Sequence, residues 1–245
     1  MKIKNLLGFA MALMCLIACK KENPIIEPTE PPTVQKPDPL ELLKDSISYI
    51  IDWNQMIQME NITKGLINAE PNKKLDSLVK QKEYTSGDRD SVMFGRFFKF
   101  SDQNRSEITI SFLKKYHKNQ AQPANNQTSL FMPVNKLELF TVGERKFALD
   151  FQRNNSQNGM VLELQGDNYG FQTNGYPSLV YHALLKPELQ SQSKFEITNL
   201  QKLKSGKYIL EAKFNASVYW GDGTHLRKID NGYIRIKINP ESIYF

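Results

Sequence analysis

The chain has 245 residues, of which 40% are hydrophobic, and its 32 lysines and arginines against 26 aspartates and glutamates give a formal charge of +6. That length supports a real core and one domain or two. Basic and acidic residues are interspersed rather than gathered into a polybasic run, which argues against a nucleic-acid partner.

The two cysteines, Cys15 and Cys19, both lie near the start of the chain. A disulfide between them would close a very short loop with poor geometry. The three histidines, His117, His182 and His225, are too scattered to complete a metal site. Processing fits the surroundings instead. Lys2 and Lys4 precede Leu6 to Ala18, thirteen uncharged and mostly apolar residues, too short to span a bilayer as a mature helix. The stretch Leu16-Ile17-Ala18-Cys19 resembles the lipobox of bacterial lipoproteins. That resemblance implies a diacylglyceryl group on the Cys19 thiol and cleavage before it by signal peptidase II. Residues 1–18, with Cys15, are then a discarded signal peptide, and the loss of Lys2 and Lys4 lowers the formal charge to +4.

Residues 19–39 read as a tether. "PIIEPTEPPTVQKPDP", from Pro24 to Pro39, holds six of the twelve prolines. Proline removes donors and biases its neighbours toward polyproline II, so about twenty residues reach up to roughly 60 Å. An ordinary lipoprotein stalk is preferred here to a ligand for a proline-binding module.

Residues 40–245 read as one β-rich domain. Alternation of apolar and polar residues predicts strands at Ser46 to Asp52, Ser91 to Phe100, Glu107 to Leu113, Lys136 to Val142, Lys146 to Phe151, Met160 to Gln165, Ser178 to Leu184 and Lys194 to Thr198. The clearest pattern is "KYILEAKFNASVYW", where Tyr208, Leu210, Ala212, Phe214, Ala216, Val218 and Trp220 share one face. "GYIRIKI" repeats it with Ile234, Ile236 and Ile238. Turn chemistry punctuates these segments at "GDG" 221–223, "DNG" 230–232, "NSQNG" 155–159 and "SG" 205–206. One helix is expected near "EPNKKLDSLVKQKEY", with Pro71 in its first turn and Leu75, Leu78 and Val79 on one face. "HKNQAQPANNQTS" reads as a polar loop. The fold class expected is all-β, an antiparallel β-sandwich or barrel-like domain with at most one or two short helices.

"ITISFLKKYHK", "FQRNNSQNG", "KYILEAKFNASVYW" and "IDNGYIRIKI" resemble segments of an uncharacterised family of Bacteroidetes-type lipoproteins. Such proteins share a cysteine anchor, a proline-rich tether and one β-rich domain. The resemblance implies no catalytic residue, because the family's function is unknown. It implies the outer membrane, held through the lipid on Cys19. Surface delivery in that family goes with an acidic cluster after the cysteine, whereas here Lys20 and Lys21 precede the single acid Glu22. The periplasmic face is therefore favoured over the cell surface. The Asp-Ser-aliphatic triplets at Ser46, Ser77 and Ser91 resemble the O-glycan acceptor of exported proteins of that type, although turn and cap chemistry also places Asp-Ser pairs at element starts.

Chemical motifs are sparse. "WGDGT", Trp220 to Thr224, is similar to the WDFGDGT of polycystic-kidney-disease-type adhesion modules, but a glycine-bearing hairpin turn accounts for it. Asp222 and Asp167 lack the ladder of oxygen ligands that calcium needs. His117 sits in a basic patch with no paired partner. No G-x-S-x-G or H-E-x-x-H occurs. No cofactor and no metal is expected.

On the strand from Lys207 to Trp220, the face opposite the apolar row carries Lys213, Asn215, Ser217 and Tyr219. Lys213, Asn215 and Tyr219 are the candidate ligand-binding residues there. Most other aromatics, Trp53 included, suit a β-domain core. The functional expectation is a membrane-anchored, non-catalytic binding or envelope-organising module for a glycan or an envelope protein. The alternative is a hydrolase of the glycosidase type, whose carboxylates can converge from distant strands without a local motif.

Overall fold

The computed structural model describes residues 38–52, 55–69, 73–76, 82–85, 90–125, 128–152, 155–167, 169–175, 187–220 and 225–241. Cys19, the leader, the tether up to Pro37, Ser77 and the strand expected over Ser178 to Leu184 lie outside them.

Asp38 opens α1, Pro39–Leu42, by accepting from the Leu40 amide at 3.0 Å, and Pro39 occupies the first turn, where its missing N–H has no partner to lose. Strands β1 (Ser46–Ile51) and β2 (Gln55–Met59) form a hairpin, and β2 runs through Glu60 alone into β3 (Asn61–Ala69). A short ladder of β4 (Lys73–Asp76) and β5 (Lys82–Thr85) stands where the apolar spacing predicts a helix. Three apolar residues were too thin a stripe to hold a helix against cross-strand pairing.

Two eleven-residue strands follow, β6 (Ser91–Ser101) and β7 (Glu107–His117). The polar stretch after them is a hairpin, β8 (Ala121–Asn125) and β9 (Thr128–Pro133), rather than a loop. Lys136–Phe140 is a 3-10 helix, not a strand. Asn135 caps it through the Leu137 amide, and the neighbours Leu139 and Phe140 both turn into the core, which strand alternation forbids for adjacent residues on one face.

After β10 (Gly143–Arg145), the predicted strand over Lys146 to Phe151 is a loop. There Asp150 gathers the Ser156 amide, the Ser156 hydroxyl and the Gln157 amide onto its carboxylate, folding the chain back on itself. The remaining strands are β11 (Gly159–Gly166), β12 (Tyr169–Gln172), β13 (Lys194–Lys202), β14 (Tyr208–Trp220) and β15 (His225–Ile238), with a 3-10 helix at Pro187–Gln190.

The fold is all-β and antiparallel. One sheet runs β2-β1-β15-β14-β12-β11-β7-β6-β3, and β14 also pairs β13, which carries β10. The first and last strands of that order, β2 and β3, are joined by one residue. The sheet therefore curls into a half-barrel whose two edges meet at Glu60. Its seam is tied by polar contacts. Lys64 of β3 points inward, donates to the Asp45 carboxylate at 2.7 Å and to the Lys237 carbonyl at 2.9 Å, and Asp45 also accepts from the Lys237 amide.

Inside the curl, Phe112 stands edge-on to Phe98, Phe140 and Phe195 with ring centroids 5.1 to 5.8 Å apart, and Phe195 stacks on Phe214. A smaller cluster of Met93, Leu113, Ala148, Phe151 and Val161 covers part of the outer face. The "DNG" of 230–232 is not a turn: β15 runs straight through it. Asn231 sits at φ 51°, and the register against β14 shifts by one there, which makes a bulge. A Cβ on Gly232 would lie 2.5 Å from the Phe214 ring, so the bulge and the glycine serve one close approach.

The barrel has two distinct ends. At one, Glu41 of α1 accepts from the Ser205 amide at 2.9 Å, and Lys237 reaches the Glu41 carbonyl. At the other, Trp220 pairs His225. The 13 residues of β14 separate them by about 40 Å.

Candidate functional site

In β11 the run Leu162-Glu163-Leu164-Gln165 alternates, so Leu162 and Leu164 enter the core and Glu163 and Gln165 face outward. Register extends that outward row sideways. Glu163 lies opposite Thr109 of β7 on one side and Gln172 of β12 on the other. The same pairing puts Phe171 beside Trp220 on the opposite, concave face, where the sheet ends.

An open groove of about 620 Å³ follows the β11–β12 hairpin. Its lining includes Thr109, Gln152, Glu163, Gln165, Asp167 and Gln172, with Tyr169 and Trp220 at the end of the sheet. Tyr169 and Trp220 are 41% and 48% exposed, unusually open for aromatics of a β-domain. Both are braced. Tyr169 packs 6.0 Å from Phe171, Arg227 lies 5.0 Å over the Phe171 ring while pairing Asp52 at 3.2 Å, and Trp220 meets His225 edge-on at 5.5 Å.

Among the described residues nothing donates to the Glu163 carboxyl. Burial alone pushes it above the usual carboxylate range. Gln172, its neighbour across the ladder, turns its amide to the Asn174 carbonyl at 3.1 Å. Asp167 is exposed and faces Arg105 at 3.9 Å.

The sequence-predicted residues divide between places. Lys213 and Asn215 share a second open groove of about 510 Å³ with Lys194, Glu196, Asp230 and Tyr233, and the Asn215 amide donates to the Gln192 carbonyl at 2.7 Å. Tyr219 is not with them. It lies on the outer face as the alternation predicts, yet it is only 5% exposed and its hydroxyl donates to the Leu189 carbonyl at 3.1 Å. The segment from Pro187 to Ser193 lies across that face. Gln190 donates to the Ser217 carbonyl, and the Ser217 amide donates to the Ser193 hydroxyl. The expectation of an open Tyr219 ring is thereby corrected: it is a covered packing residue. Trp220, assigned by periodicity to the core face, keeps that face but stands past the last core layer.

Ser46 is half-buried at the start of β1. Ser91 is 5% exposed in β6 and cannot present its hydroxyl to a modifying enzyme in the folded domain. His117 ends β7 and caps the next turn, its Nδ1 accepting from the Asn119 amide at 3.3 Å. Among the described residues no group of three His, Cys, Asp or Glu side chains is placed to hold a metal ion.

Sequence reasoning missed Glu163, Gln165, Gln172 and Tyr169. The polar positions of "LELQ" and the two-residue spacing of Tyr169 and Phe171 carry the signal, but only register shows that Glu163 and Gln172 stand side by side on one face and Tyr169 at the end of the other. Compared with protein-family models, curated proteins and solved structures, the chain matches none.

Proposed function

We propose that this is a membrane-anchored envelope lipoprotein whose β-domain binds glycans without catalysis, at the groove along the β11–β12 hairpin. The anchor rests on the Leu16-Ile17-Ala18-Cys19 sequence and the proline-rich tether. The resemblance to Bacteroidetes-type lipoproteins supports the outer membrane, and Lys20 and Lys21 after Cys19 favour its periplasmic face. The observation that carries the binding reading is that exposed Tyr169 and Trp220, on the concave side at the end of the sheet, line the same open groove as the outward row of amide and carboxyl side chains. A sugar ring presents apolar C–H faces to aromatic rings and hydroxyls to amides and carboxylates, and this lining offers both kinds of partner.

A glycosidase would need a second carboxylate working opposite Glu163. Asp167, the other acid among the groove's described residues, is exposed beside Arg105, so binding is preferred to hydrolysis. The test is a glycan array probed with the full-length chain, followed by titration of the hits. Trp220→Ala and Gln165→Ala are expected to weaken binding tenfold or more while leaving the melting temperature within about 2 °C, since both side chains are exposed. Wild-type protein that bound no glycan, or release of reducing ends from a bound one, would overturn the reading.

A further inference from the structure

Resting on the glycan reading, we infer that the groove selects uncharged saccharides and rejects anionic ones such as uronic-acid polymers, and that Glu163 is the residue that makes the distinction. Among the described residues, the lining of the groove contains no lysine, arginine or histidine. Its charged members are Glu163 and Asp167, and its amides are Gln152, Gln165 and Gln172.

The two acids differ in what they can do. Asp167 sits in the turn, 65% exposed and facing Arg105, so solvent and a cation already moderate its charge. Glu163 stands within the sheet between Thr109 and Gln172, half-buried, with no described donor on its carboxyl. Its acceptor sites are free for a ligand hydroxyl, which is the group every neutral sugar supplies in quantity. A carboxylate or sulfate brought to the same place would meet a like charge in a partly desolvated setting, where repulsion is screened less than at an open surface. Among the described residues that line the groove there is no cation to compensate that anion, and Arg105 is turned to Asp167. Discrimination of this kind comes from the unfavourable contact with the wrong ligand as much as from the favourable one with the right ligand.

The experiment titrates the full-length chain at neutral pH with cellohexaose, laminarihexaose and chitohexaose, and with hexagalacturonate as the anionic ligand of equal length. At least one neutral hexasaccharide is expected to bind ten times or more tightly than hexagalacturonate, with the ratio shrinking as salt is added. Glu163→Gln keeps the shape and an acceptor oxygen but removes the charge. It should bring the anionic ligand to within about threefold of the neutral one. Hexagalacturonate binding the wild type as well as the best neutral ligand would overturn the inference and leave glycan binding standing. A tenfold preference that Glu163→Gln leaves unchanged would overturn the role given to Glu163. Failure of all four ligands, with an empty array, would overturn the glycan reading and this inference together.

Discussion

The seam at which the half-barrel meets itself is held by Asp45, and its removal should be felt by the whole domain. Asp45 accepts from Lys64 at 2.7 Å and from the Lys237 amide, and the two paired side chains are only 15% and 16% exposed. Taking one partner from a fully buried pair costs about 3 to 5 kcal/mol, because the other charge is left without compensation. Lys64 would keep the Lys237 carbonyl at 2.9 Å. Asp45→Ala should therefore cost about 2 to 4 kcal/mol, a fall of roughly 5 to 15 °C in Tm for a domain of this size. Lys44 and Glu60 provide the control nearby. They pair at 3.3 Å but are 77% and 49% exposed, so Lys44→Ala should cost less than about 0.5 kcal/mol. Urea denaturation of Asp45→Ala, Lys64→Met and the double variant gives the coupling, expected to be at least about 1 kcal/mol. If Asp45→Ala proved no more costly than Lys44→Ala, the pair would not be closing the seam.

Two further outcomes follow from single side chains. Tyr219→Phe should cost about 1 kcal/mol by stranding the Leu189 carbonyl, and Tyr219→Ala about 3 to 5 kcal/mol, matching Phe214→Ala; a Tyr219→Ala variant of wild-type stability in chemical denaturation would mean that the 187–193 cover is absent in solution. Glu163 has its folded-state pKa raised by burial, so the native state holds its proton more tightly than the unfolded chain. The resulting stability is present below the unfolded value of 4.5 and is lost as pH rises through the folded one. Wild type should thus lose ground against Glu163→Gln from pH 4 to pH 7, and a flat difference in Tm across that range would contradict the burial.

Legibility followed how each strand earns its place. Over Leu210 to Asn215 of β14 and Tyr233 to Ile238 of β15 one face is packed and the other is exposed or half-buried, so a period of two in Leu210, Ala212, Phe214 and in Ile234, Ile236, Ile238 shows directly in the sequence. Strand β3 breaks that period on its core-facing side, where register aligns Ile62, Lys64 and Leu66 with the inward Phe100, Phe98 and Arg96. A lysine used to tie a seam looks, in sequence, like the end of an alternation. The short β2, "QMIQM", has three exposed residues and owes its place to β1 alone. At the site, Glu163 and Gln165 are visible as polar positions. No local pattern could reveal that Gln190 and Ser193, some thirty residues earlier in the chain, would cover Tyr219.

The entry of the chain beside α1, at the opposite end of the strands from Trp220, has a mechanical consequence. A ligand held at the Trp220 end and a pull applied at Asp38 would load the domain along its strand axes. Strand β1 takes that load first, and it is bonded on both sides, to β15 and to β2. Its hydrogen bonds would be strained in parallel, as in shear, rather than opened one after another like a zip. Pulled that way, β1 should hold until its ladders to β15 and β2 give way together.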